Sequence, residues 1–81
     1  MISCDQHDYI EIACMYRFSV KLTKKSGEVI EGVALDTALN EHKDECIKVA
    51  VNGAERLIVL TELSLLEVNV DNPHFTTLSF V

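Results

Sequence analysis

The chain has no Trp, a single Pro, three Gly and three Cys, and only seven Lys and Arg to set against thirteen Asp and Glu. Each shortage removes a class of function. With a formal net charge of −6, the surface repels phosphate backbones over about one Debye length, ~8 Å at physiological salt. Nucleic acid and anionic membranes are therefore disfavoured as partners, and positive surfaces on other proteins are favoured. No apolar run approaches the ~20 residues of a membrane span, and the N-terminus lacks the basic-then-apolar order of a secretion signal. A soluble cytoplasmic protein is expected.

Cys4, Cys14 and Cys46 are odd in number and follow no spacing pattern, so a reducing compartment predicts no structural disulfide. Gly27 and Gly32 stand outside any G-x-G-x-x-G or lysine-bearing phosphate loop and read as backbone punctuation. The histidines His7, His42 and His74 each lie in a polar segment, and none belongs to a catalytic motif. They read as solvated surface, and no enzyme is expected. Cys4-x2-His7 with His42-x3-Cys46 would supply a ligand set that zinc prefers. The two halves would have to meet, and neither is a tight knuckle, so no metal or cofactor is expected. The 81 residues make one domain, residues 1–81, which buries roughly 60 to 65% of the surface its unfolded form exposes. That leaves little room for a deep catalytic cleft.

What is present begins with a helix over about 6–16. Asp5 precedes it as an N-cap, and Asp8 follows three residues later, where a carboxylate reaches back and meets the positive end of the helix dipole. On a helical wheel Tyr9, Ile12, Ala13 and Tyr16 fall together as a core-facing stripe. Asp8, Glu11 and Met15 form a second side, and Ile10 with Cys14 a third edge. This is more apolar surface than one sheet can cover. Aromatic and Met side chains beside charges are typical of contact patches, which makes Asp5, Asp8, Tyr9, Ile10, Glu11 and Met15 the candidate partner-binding residues.

From Arg17 the period changes to two. Phe18, Val20 and Leu22 alternate with polar residues as a half-buried strand does, and Lys24-Lys25-Ser26-Gly27 marks a turn. Glu28 to Leu35 continues as a second strand, with Gly32 marking a sharp bend or bulge. Thr37 to Glu45 is polar and reads as an exposed loop. Cys46 to Val51 and Glu55 to Leu60 flank Asn52-Gly53-Ala54, whose Asn-Gly pair accepts the positive φ angles of a tight hairpin. Thr61-Glu62-Leu63 reads as a tight turn into a fifth strand, Ser64 to Val70, broken by Asp71-Asn72-Pro73. The tail His74 to Val81 either adds a short edge strand or drapes over the sheet. The expected fold is α+β and mostly β: a helix, then a small, strongly bent antiparallel barrel over about 17–70 with five strands, or six if the tail joins it.

Arg17, Lys21, Lys24 and Lys25 read as the solvated outer face of a strand, which guards it against edge pairing. The acid groups fall in two places, Asp5, Asp8 and Glu11 on the helix and Glu41, Asp44 and Glu45 on the loop.

Two resemblances follow from these residues. Glu31-Gly-Val-Ala-Leu-Asp-Thr-Ala-Leu-Asn40 resembles the first signature of Sm-like proteins through Gly32, Asp36, Leu39 and Asn40. The Arg-Gly element of the second signature is missing from Leu57 to Val70, so the resemblance implies the Sm-like barrel more than the nucleotide pocket. An Sm-like RNA-binding module is the alternative reading. Ile2, Cys4, Asp5, Asp8, Glu11 and Ala13-Cys14, then Gly53-Ala-Glu-Arg56 leading to Leu60-Thr-Glu-Leu-Ser64, are similar to the bacterial Rho-binding antiterminator (Rof) family. That resemblance implies an inhibitor that docks on the RNA-binding domain of the termination factor Rho and blocks loading of transcripts. Rho would be the partner, with no direct nucleic-acid or membrane binding, and the protein would be a monomer in isolation.

Overall fold

A computed structural model describes residues 4–69 and 77–80. Helix α1, Cys4–Met15, is followed by β1, Ser19–Lys24, β2, Val29–Leu39, β3, Glu45–Val51, and β4, Ala54–Val59. A 3₁₀ turn, Leu60–Glu62, leads into β5, Leu63–Val68, and the tail supplies β6, Thr77–Ser79. All six strands form one antiparallel sheet in the order β4-β3-β2-β1-β5-β6, bent into an open Sm-like barrel. The sixth strand thus exists, while 70–76, with His74 and the Pro73 break, lie outside the described residues.

The helix begins before the expected boundary, so Asp5 stands in its first turn rather than at the cap. A carboxylate there still faces the positive end of the helix dipole. At the other end Phe18 N donates to Ala13 O at 3.0 Å and Arg17 N to Cys14 O at 3.2 Å, with Arg17 at φ 53°. This is a Schellman closure built on an Arg where Gly is the usual choice. It reverses the chain from helix into strand, and the Tyr16 and Phe18 rings stack across the turn at 5.6 Å.

The helix face differs from the expected stripe. Ile10 and Ala13 are fully buried and Cys14 is 6% exposed, whereas Tyr9 and Tyr16 are 36% and 55% exposed. With apolar residues on three sides, periodicity could not select the face. The small Ala13 and Cys14 let the helix come close to the barrel while Ile10 fills the core, and the phenol groups stay toward water. In the same core, Val20 and Leu22 are fully buried, as the period-two pattern of β1 required, and Leu63 and Leu66 of β5 are buried with them.

Gly32 does more than permit a bend. A Cβ there would run into the Ala50 carbonyl oxygen and the Val51 side chain, so the absent side chain lets β2 and β3 approach. The bulge itself lies further along: Ala34 pairs with Val49 and Asp36 with Lys48, which leaves Leu35 without a partner on β3. Beyond it Thr37, Ala38 and Leu39 pair with Ile47, Cys46 and Glu45, so residues expected in a loop are strand. Ladder bonds come from the backbone, which side-chain polarity did not reveal. The remaining loop is stapled by Asn40, whose Oδ1 accepts from His42 N and Asp44 N, each at 2.9 Å. The Asn52-Gly53 hairpin has the expected positive φ values, 51° and 84°.

At the end of the barrel formed by the β1–β2 turn and the 3₁₀ turn, charges tie neighbouring elements together. Lys24 Nζ lies 3.2 Å from Glu62 and 3.4 Å from Glu28, and Arg56 reaches Glu28 at 3.6 Å. The hydrogen bond from Lys24 to Glu62 raises the ammonium pKa above its usual value. Lys25 N adds a backbone bond to Glu62 O at 2.8 Å.

Candidate functional site

The acidic side of α1 is exposed at Asp5, Asp8 and Glu11, and Met15 at its last turn is 71% exposed. Tyr9 lies at the border of this surface. Ile10 does not: it is fully buried and has no surface to offer a partner. The reason is the helix rotation described above, which uses Ile10 as the core anchor.

Between α1 and β2 the surface falls into two adjoining grooves. The first, about 390 Å³, has Glu11, Cys14 and Met15 on the helix side and Leu35, Asp36 and Thr37 on the strand side, with Arg17 at its end. The second, about 330 Å³, again includes Glu11 and Thr37, then Leu39, Cys46 and Leu60, and ends at His7 and Glu45. The bulge at Leu35 and the unexpected length of β2 create this seam, because both place the Asp36 to Leu39 segment beside the helix. None of Asp36, Thr37, Leu39 and Glu45 was singled out from the sequence as part of a site with the helix. The one signal was Leu39, a large apolar residue in an otherwise polar stretch.

His7 is half-buried and its Nε2 lies 2.8 Å from Glu45 Oε2, so it joins helix to β3 instead of standing in solvent. Asp36 Oδ1 accepts from Thr37 N at 2.8 Å, shaping the chain just after the bulge. Burial, then the charge of Asp36, pushes the Cys14 thiol up to about 11, with Arg17 opposing and Glu11 adding the smallest push. Burial, then Asp44, likewise raises Cys46, whose Sγ donates to Asp44 O at 3.4 Å. Both thiols remain protonated near neutrality, which disfavours nucleophilic use. Among the described residues no three His, Cys, Asp or Glu side chains converge as a resident cation requires. The basic residues are dispersed. The register sets Lys21 opposite both Glu31 and Glu67, Lys24 is held by two glutamates, and Arg17 lies in the seam.

Fold and surface together define a small Sm-like protein that carries an acidic helix and a groove beside it. Residues 1–80 match the family described as modulator of Rho-dependent transcription termination (ROF), and the chain belongs to that family. It is similar to the solved structure of YaeO from Vibrio cholerae O395, described as bound to magnesium, with 44% identity and a TM-score of 0.87. The match covers 91% of this chain and 96% of that one. No curated protein sequence matches the chain significantly. Membership makes this a regulatory protein of Rho-dependent termination, and no helix among the described residues is long and apolar enough to cross a membrane.

Proposed function

We propose that the protein inhibits Rho-dependent termination by binding the RNA-binding domain of Rho and blocking RNA loading, with its acidic helix supplying the contact charge. The observation that carries this reading is the exposed set Asp5, Asp8 and Glu11 on one short helix in a chain of net charge −6. A surface that holds RNA phosphates is cationic, and carboxylates can take the place of those phosphates. Exposed ion pairs contribute only ~0.2 to 1 kcal/mol each, so charge steers the encounter while apolar contacts at Tyr9 and Met15 add hold. The protein acts as a monomer in the cytoplasm and carries out no catalysis.

The Sm-like RNA-binding reading has less to stand on. Asn40, which would have to read a base, spends its side-chain oxygen on His42 N and Asp44 N and its amide on Asp44 at 3.3 Å. Competition between the protein and labelled pyrimidine-rich RNA for purified Rho tests the proposal. Displacement of RNA is expected, weakening as salt rises, and Asp8→Lys with Glu11→Lys abolishes it while the melting temperature holds. Undiminished displacement by the folded double variant sinks the helix as the interface. Direct binding of uridine-rich RNA to the protein alone would revive the alternative.

A further inference from the structure

The two grooves share Glu11 and Thr37, so they form one trough along the α1–β2 seam. Its floor includes the Cys14 thiol, 6% exposed and without a hydrogen-bond partner among the described residues. On its rims stand the two most exposed large apolar side chains of the described chain, Met15 at 71% from the helix and Leu39 at 60% from β2. Met15 borders the first groove and Leu39 the second, and two uncovered apolar groups along one trough mark a surface that gains by being covered.

The charge is specific about what covers it. Glu45 is committed to His7, but Glu11 and Asp36 have no cation within ion-pair distance among the described residues. Both act on the same Cys14 thiol, consistent with their facing one compartment. Arg17 at its end offsets part of that charge. A phosphate would be repelled here, and a purely aliphatic segment would strip water from two carboxylates without replacing it. A long cationic side chain meets both demands, since its methylenes can lie along Met15 and Leu35 while a planar guanidinium donates to Glu11 and Asp36.

We propose that the α1–β2 trough is the anchor for an arginine-bearing segment of the partner protein, whose neighbouring apolar side chain seats against Leu39. This rests on the reading that Rho is the partner, and it moves the anchor from the outward side of the helix into the seam.

Asp36→Asn and Leu39→Ser test it, since both positions are exposed on β2 and lie off the helix. Each is expected to weaken binding to purified Rho tenfold or more with an unchanged melting curve, while Glu31→Gln, at an exposed β2 position outside the trough, costs less than threefold. Parent-like Rho affinity in both folded β2 variants overturns the trough, and loss of binding confined to helix variants does the same. A second arm reads the trough without Rho: the protein is titrated with a short Arg-Leu-Arg peptide amide and followed by NMR. Shifts at Cys14, Asp36 and Leu39 that vanish in Asp36→Asn support the trough even if Rho itself does not bind, which would then defeat only the proposed function. Shifts elsewhere, or none, overturn it.

Discussion

Carboxylates serve opposite purposes at the two ends of this molecule. At the β1–β2 turn, Glu28 and Glu62 surround Lys24 and reach Arg56, so acid and base cross-link the fold. On the outward side of α1 and in its seam with β2, Asp5, Asp8, Glu11 and Asp36 are exposed with no such cation among the described residues. Composition alone does not separate the two ends, because both are rich in acid. The difference is whether the fold supplies the counter-charge or leaves it to something else. Where it does, charge contributes to stability; where it does not, it costs a little through mutual repulsion and is kept for contact.

The largest way to break this contrast is to loosen the seam from below. Ile10→Ala should cost about 3 kcal/mol, the usual scale for truncating a buried aliphatic side chain, whereas Tyr9→Ala next to it should move the melting temperature far less. Equal losses at the two positions, read by thermal melts, would show that the helix is not anchored through Ile10. Next comes charge reversal at the other end. Lys24→Glu sets three acids together and should lower the melting temperature while leaving Rho affinity intact, the reverse of Asp8→Lys with Glu11→Lys.

A smaller effect sharpens the comparison through pH. Cys14 has its pKa raised from 9.0 to about 11 in the folded protein, so the unfolded chain loses that proton first. The stability this group contributes is complete below pH 9, declines as pH rises toward 11, and is gone above it. Cys46 is shifted in the same direction. Melting temperatures measured across that range should fall less steeply in Cys14→Ala than in the parent, and parallel curves would place the thiol outside the buried floor of the seam. The smallest expected change is a gain. Arg17→Gly removes a left-handed conformation that costs ~1 to 2 kcal/mol in an L-residue but adds ~0.5 to 1 kcal/mol of unfolded-state freedom, for a net stabilisation near ~0.5 kcal/mol. Denaturant melts resolve it, and a loss instead would mean that the Arg17 side chain stabilises the seam.

Several features were legible in the residues because they are local. Alternation placed Val20 and Leu22 inward, Asn52-Gly53 announced its hairpin, and Asp5, Asp8 and Glu11 announced an acidic helix. Other readings missed for a common reason. Thr37 to Leu39 looked like loop because the stretch they open, Thr37 to Glu45, is mostly polar, yet their backbone groups complete the ladder to β3. Gly32 signalled a disturbance in β2, but the bulge lies at Leu35, where no residue type marks it.

By itself the sequence determined most element types, the sign of the surface and the resemblance that family membership now bears out, since each is carried by neighbours in the chain. Tertiary structure alone decided which helix face is buried, turning Ile10 from a contact residue into a core residue. It alone set Asp36, Leu39 and Glu45 beside Glu11 and His7. Periodicity records the spacing of side chains along one element, whereas burial and the walls of a groove depend on how two elements distant in the chain are docked.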